Sequence, residues 1–162
     1  MDREMKEKIR LLILDVDGTL TDGGIHIASS GELYKSFNVK DGYGIAEILP
    51  GKHIDTAIIT GRTSDIVAFR AKELKIRHLY QGVRNKIETL NQLKDELGLS
   101  YPEIAYIGDD LNDVEAMKLV GLVGCPLDAV EKVRSIADFI SSKKGGEGAV
   151  REFIDWLTAE EE

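Results

Sequence analysis

Asp15 and Asp17 stand one residue apart at the end of the apolar run "LLIL", and Gly-Thr follows at once. A strand ending in a turn accounts for Gly18, because Asp and Gly are ordinary turn residues. It does not account for two carboxylates at the mouth of a buried run. Such groups repel and raise each other's pKa unless a positive charge sits between them. A hard divalent cation with oxygen ligands, such as Mg²⁺, is the simplest neutraliser. A second acidic cluster, "GDDLND", brings Asp109, Asp110 and Asp113 to the end of another apolar run. If both runs are central parallel strands, five carboxylates meet at one edge, which a fold alone would not need. Thr60 closes the run "AIIT", and Lys86 opens a helix after "QGVRN". Singly, Thr60 reads as a helix cap and Lys86 as solvated surface. Together with the acids they supply a nucleophilic carboxylate, a metal, a hydroxyl donor and a cation.

The elements that must carry these residues alternate. "KIRLLILD", "IDTAIIT" and "EIAYIGDD" are nearly unbroken apolar runs, as expected of parallel strands buried on both faces. "IRHLYQG" and "GLVGC" are shorter strand candidates. Helical periods lie between them: Val67, Ala71 and Leu74; Ile87, Leu90, Leu93 and Leu97, closed by Gly98; Val114, Met117 and Val120, closed by Gly121. Asp128 with Glu131 reads as a capping box opening a fourth helix. Val150, Phe153, Ile154 and Leu157 mark an amphipathic C-terminal helix. This order predicts an α/β fold, a doubly wound parallel sheet with helices on both faces. Sites in such sheets lie at the carboxyl ends of the strands. One stretch breaks the alternation. Residues 23–39, "GGIHIASSGELYKSFNV", hold two β-like runs around Ser29-Ser30-Gly31, a hairpin with a turn longer than the tightest types.

Whole-chain totals narrow the class. The 162 residues suit a single domain spanning 1–162, and 43% apolar residues argue against disorder. A formal net charge of -8 argues against a nucleic-acid surface. No apolar run approaches the ~20 residues of a membrane span, and the charged opening lacks the apolar segment of a signal peptide. A lone Cys125, read as a buried core thiol, leaves no intrachain disulfide framework, so the cytoplasm is the default compartment. His26, His53 and His78 form no ligand spacing.

The chain resembles the haloacid dehalogenase superfamily of phosphohydrolases. Its four motifs are matched in order by "DVDGT" at 15–19, "TG" at 60–61, Lys86 and "GDDLND" at 108–113. The resemblance implies a Rossmann-like core and a defined chemistry. Asp15 attacks phosphorus in line and forms an aspartyl-phosphate. Mg²⁺ is held by the Asp15 carboxylate, the Asp17 backbone carbonyl and Asp109. Thr60 and Lys86 hold the other phosphoryl oxygens. Asp17 protonates the leaving alkoxide and then takes a proton from the hydrolytic water. Since a free Asp has a pKa of about 3.9, its surroundings are expected to hold Asp17 partly protonated. Asp110 and Asp113 orient Lys86 or metal-bound waters.

Phosphoryl transfer benefits from excluding water, and many members of the superfamily use a cap domain to do so. The 43 positions from Asp17 to Thr60, the 26 from Thr60 to Lys86 and the 23 from Lys86 to Asp109 leave no room for one. An isolated hairpin is marginal in water, so Ile25, Ile27, Leu33 and Phe37 need a partner face. Either their own domain or a neighbouring subunit supplies it. Further stretches are similar to the 3-deoxy-D-manno-octulosonate 8-phosphate phosphatase family: "FNVKDGYG", "AIITGR", "HLYQG", "IAYIGDDLND" and "GGEGAVRE". That similarity implies a homotetramer whose hairpins form a central barrel, with the C-terminal segment (about 145–162) of one subunit reaching a neighbour's site. It implies a phosphorylated sugar-acid substrate, contacted by Asp17, by Asn38, Val39, Lys40, Asp41 and Gly42 of "NVKDG", and by Gly61, Arg62, Arg70 and Lys86. Gly148 and Arg151 would make the contact in trans; a glycine hinge before the last helix is the plainer reading. Lys40 stands where the family commonly has Arg, which keeps the charge but loses the planar fork. Three other readings share these residues: a 2-keto-3-deoxy-nonulosonate 9-phosphate phosphatase, a phosphoacceptor signalling domain and a non-catalytic assembly domain.

Overall fold

The structure, a computed structural model, describes residues 3–160. The ends of the expected domain and of its C-terminal segment, residues 1–2 and 161–162, lie outside the described residues. Six strands form one parallel sheet in the order β5-β4-β1-β6-β7-β8. They are β1 (Leu11–Leu14), β4 (Asp55–Ile59), β5 (His78–Tyr80), β6 (Ile104–Ile107), β7 (Leu122–Cys125) and β8 (Phe139–Ile140). The chain lays β4 and β5 on one side of β1, then returns to lay β6, β7 and β8 on the other. The strand order therefore reverses at β1, the place where open parallel sheets build sites.

Every residue of β1 and β6 is buried, because each strand sends alternate side chains into one of two cores. Leu12, Leu14, Ile58 and Ile107 pack with Val150, Phe153, Ile154 and Leu157 on one face. Leu11, Ile13, Ala57 and Ile59 pack with Leu90, Leu93, Val114 and Met117 on the other. The covering helices are α4 (Asp65–Glu73), α5 (Lys86–Glu96), α6 (Leu111–Met117) and α8 (Ala149–Thr158). Ser64 caps α4 and Asn85 caps α5 through side-chain oxygens. Two shorter helices are α1 (Arg3–Glu7) and α7 (Glu131–Arg134). After the hairpin, α2 (Val39–Tyr43) runs through a π-helical stretch, Gly44–Ile48, into α3 (Leu49–Gly51).

Three local expectations are corrected. The hairpin turn is shorter than expected: β2 (His26–Ala28) and β3 (Gly31–Tyr34) place Ala28 opposite Gly31, so only Ser29 and Ser30 lie in the turn. A register shift between His26 and Ile27 takes up the irregularity that lengthened the apparent turn. Asp128 does not cap α7; Val130 is the cap residue, and Asp128 accepts the Gly145 N–H at 3.1 Å instead. Val120 lies beyond α6, which ends at Met117. The edge strand β8 was not anticipated, because two residues carry no period.

Candidate active site

Parallel pairing brings the chemistry together. β1 ends at Leu14 and delivers Asp15 to the carboxyl edge, where its N–H donates to the Ile107 carbonyl at 3.1 Å. Thr60 follows β4 and is 2% exposed; Asp109 and Asp110 follow β6. Lys86 opens α5 and reaches inward, 4% exposed, with its Nζ 3.0 Å from Asp15 Oδ1 and 2.7 Å from Asp113 Oδ1. The Tyr106 hydroxyl, fully buried on β6, donates to the same Asp113 oxygen at 2.8 Å. Asp113 Oδ2 accepts the N–H groups of Asp109 and Asp110 at 3.2 and 3.3 Å. Asp113 thus spends both oxygens on four donors that fix Lys86 and the loop carrying Asp109. Asp110 caps α6 through its side chain.

Asp15, Asp109 and Asp113 each bring an oxygen within 4.8 Å of the other two. Burial, then the charge of Asp113, pushes Asp15 up to about 6 against the pull of Lys86. Burial, then the charge of Asp15, pushes Asp109 up to about 8. Burial would depress Lys86, but the charges of Asp15 and Asp113 outweigh it and hold the ammonium form. One buried cation therefore does not neutralise the cluster, and a second positive charge is called for. The donors are hard oxygens, with Asp15 and Asp109 the pair whose charges remain uncompensated. That set fits a hard divalent cation. Thr19 donates to Asp109 Oδ1 at 3.1 Å and orients it. Gly18 makes the approach possible: its φ is +88°, and a Cβ there would fall 2.0 Å from Asp109 Oδ2.

Asp17 belongs to a different set of contacts. Lys35, just past β3, places its Nζ 2.6 Å from Asp17 Oδ1, and its side chain is 2% exposed. Lys35 also lies 3.4 Å from Glu32, which accepts a hydrogen bond from the Ser64 hydroxyl. Arg62 stands 4.0 Å from both Asp17 and Glu32. The expected substrate residues are spread out. Gly61 and Arg62 are exposed beside Thr60, and Val39 and Lys40 are exposed on α2. Asn38 caps α2 through the Lys40 N–H. Asp41 and Gly42 are buried and, with Arg70, line a pocket inside the chain beside Val16, Phe37 and Leu74. Asp41 accepts the Arg151 N–H at 2.9 Å, and burial pushes it up to about 6. Gly148 is the left-handed residue opening α8, and Arg151 donates to the Lys40 carbonyl of its own chain at 3.3 Å.

A family model for haloacid dehalogenase-like hydrolases matches residues 52–154. The 3-deoxy-D-manno-octulosonate 8-phosphate phosphatase of Escherichia coli K12 is 47% identical over 151 residues, covering 93% of this chain and 80% of its own. The chain belongs to the haloacid dehalogenase-like hydrolases. The crystal structure of the Yersinia pestis 3-deoxy-D-manno-octulosonate 8-phosphate phosphatase superposes with a TM-score of 0.91 at 44% identity, covering 95% of this chain and 83% of that one. A Moraxella catarrhalis phosphatase of the same name, in complex with magnesium, phosphate and KDO, gives 0.91 at 42% identity over 95% and 88% of the two chains. Within this hydrolase fold, motif spacing located Asp15, Lys86 and Asp109. It missed Tyr106, which reads as one more core residue in "IAYI", and Lys35, a lysine in the hairpin whose contact with Asp17 spans 18 residues.

Proposed function

We propose that the chain is a Mg²⁺-dependent phosphomonoesterase that converts 3-deoxy-D-manno-octulosonate 8-phosphate to the free sugar acid and phosphate, in lipopolysaccharide precursor synthesis. One observation carries this reading: the buried Asp15–Lys86–Asp113 set beside Asp109, at the switch point of a sheet in a chain 93% of which aligns with its relatives. The Asp15 carboxylate, Asp109 and the Asp17 backbone carbonyl would hold the metal, which supplies charge neutralisation at the phosphoryl oxygens.

Asp15 attacks phosphorus in line; its O–P bond forms as the ester P–O bond breaks. Asp17 gives its proton to the departing alkoxide, then takes one from the water that attacks the aspartyl-phosphate, so phosphate leaves and both residues are restored. Lys86, held by Asp113, whose Oδ1 also accepts from Tyr106, and Thr60 steady the remaining phosphoryl oxygens. We assign Arg62, an exposed guanidinium beside Thr60, to the substrate anion, and Asp110, the cap of α6, to holding that end of the loop. We assign Asn38, Val39 and Lys40 to the sugar end, with Gly61; Asp41, Gly42 and Arg70 support that wall from behind.

Ile25, Ile27, Leu33 and Tyr34 are 45%, 65%, 62% and 49% exposed. We infer that these hairpin residues meet other copies in a cytoplasmic homotetramer; Phe37 packs against its own core. The test is phosphate release from the octulosonate 8-phosphate, the nonulosonate 9-phosphate and hexose phosphates, with and without Mg²⁺. The octulosonate ester should have the highest kcat/KM, and Asp15→Asn should abolish turnover. Equal rates on every ester would sink the substrate assignment. Stable phosphorylation without turnover would favour a phosphoacceptor.

A further inference from the structure

The hairpin is tied to the site through charge rather than apolar packing. Its outward residues are exposed, yet the Lys35 side chain at its base is 2% exposed and its Nζ stands 2.6 Å from Asp17 Oδ1. Lys35 is held in turn by Glu32, 3.4 Å away, and Glu32 is anchored by the Ser64 hydroxyl at the start of α4. A lysine with its stem buried and its ammonium aimed at one carboxylate oxygen costs rotamer freedom and hydration. Nothing in the fold of the sheet requires it there.

We propose that Lys35 is the positioning residue of the proton-transfer group: it grips Oδ1 of Asp17 and leaves Oδ2 as the oxygen that carries the proton. Arg62 Nε stands 4.0 Å from Oδ2, beyond hydrogen-bond reach, so Oδ2 is not spent on that guanidinium. With Oδ1 pinned, the carboxyl group has one rotation instead of many, and proton transfer to a leaving oxygen depends on that alignment. In the transfer, the Asp17 Oδ2–H bond breaks as the alkoxide O–H bond forms, concurrent with cleavage of the ester P–O bond. Lys35 keeps its own protons and touches no reacting atom. The inference rests on the phosphatase reading and on Asp17 as its acid.

The experiment compares two leaving groups with the full-length protein at saturating Mg²⁺. An alkyl ester such as the octulosonate 8-phosphate needs its leaving oxygen protonated; p-nitrophenyl phosphate does not, because nitrophenolate departs unaided. Lys35→Met should lower kcat/KM, which reads only the steps up to the aspartyl-phosphate, by ~10²-fold on the alkyl ester, the lower end of what a positioned acid contributes. Its loss on p-nitrophenyl phosphate should be at least ~10-fold smaller on the same scale. Lys35→Arg, which keeps a cation on the same stem, should recover most of the alkyl-ester rate. Equal losses of kcat/KM on both esters, no loss at all, or no recovery in Lys35→Arg would each overturn the assignment. If Lys35→Met does not fold by circular dichroism, Lys35→Gln carries the same comparison. A wild-type chain inactive on both esters would instead overturn the phosphatase reading, and this inference with it.

Discussion

Tyr106 shows how much of the site is made by residues that look like core. Its ring belongs to the core that α5 and α6 cover, while its hydroxyl and Lys86 share one oxygen of Asp113. Removing the hydroxyl leaves a buried carboxylate with one donor fewer. Tyr106→Phe should therefore cost ~1–3 kcal/mol in stability, read from urea unfolding, and lower kcat more than it raises KM. Gly18 is tighter still. Gly18→Ala must adopt a positive φ and place a methyl on Asp109. Metal affinity, measured by calorimetry with Mg²⁺, should fall at least ~10-fold, the lower end of what disturbing a ligand's orientation costs.

Asp41 sets a pH dependence away from the metal site. Burial holds it at about 6 in the fold, above the 3.8 of a free aspartate. Between those values the folded chain binds more protons than the unfolded one, so Asp41 makes stability fall as pH rises through about 6. Asp41→Asn keeps an acceptor for the Arg151 N–H and removes the charge. The variant should match wild type near pH 4 and exceed it by ~1–3 kcal/mol above pH 7. A constant difference across that range in urea titrations would refute the role of burial here.

At the scale of elements, the hairpin and α8 behave oppositely. α8 buries Ala149, Val150, Phe153, Ile154 and Leu157; Phe153 stacks with Trp156 at a centroid distance of 5.6 Å and meets Phe139 in a tilted pair at 5.8 Å. Phe153→Ala should cost ~3–5 kcal/mol and be seen as an early thermal transition. The hairpin buries little on its own chain. Ile27→Asp with Leu33→Asp should leave the sheet intact by circular dichroism and lower the mass in light scattering from that of the proposed tetramer. An unchanged mass would remove the hairpin from the interface. The Gly145–Gly146 turn adds a link between these elements: a Cβ on Gly145 would fall 2.0 Å from the Gly18 carbonyl, and Gly146 N–H donates to the Thr19 carbonyl at 3.2 Å. The segment before α8 therefore braces the loop that carries Asp17.

The whole molecule concentrates negative charge at one edge of its sheet, and its stability should report this. With Asp15 near 6 and Asp109 near 8, the metal-free fold holds protons that the unfolded chain has released. Its stability should fall as pH rises from about 4 to about 8. A divalent cation competes with those protons and binds better as they leave. Mg²⁺ at 100-fold over its Kd adds about 2.7 kcal/mol, or ~5–10 °C in Tm for a chain of this size. The rise in a thermal-shift assay should be larger at pH 8 than at pH 5, and EDTA should reverse it. Equal shifts at both pH values would argue against Asp15 and Asp109 as the ligands.

The sequence by itself determined the alternation of strands and helices in a parallel sheet and the convergence of Asp15, Thr60, Lys86 and Asp109 at one edge, but neither β8 nor the strand order. The alternation and the convergence follow from apolar runs buried on both faces and from parallel pairing, which sends every strand end to the same edge. Only the tertiary structure decided which groups surround each carboxylate. Lys35 reaches Asp17 across 18 residues and Tyr106 reaches Asp113 across a helix start, contacts that leave no period or spacing. It also decided that Asp41 faces inward while Val39, two residues before it, faces out. Helical direction and the packing of α8 on α2 set that difference, and neither is written in the local pattern of "NVKDG".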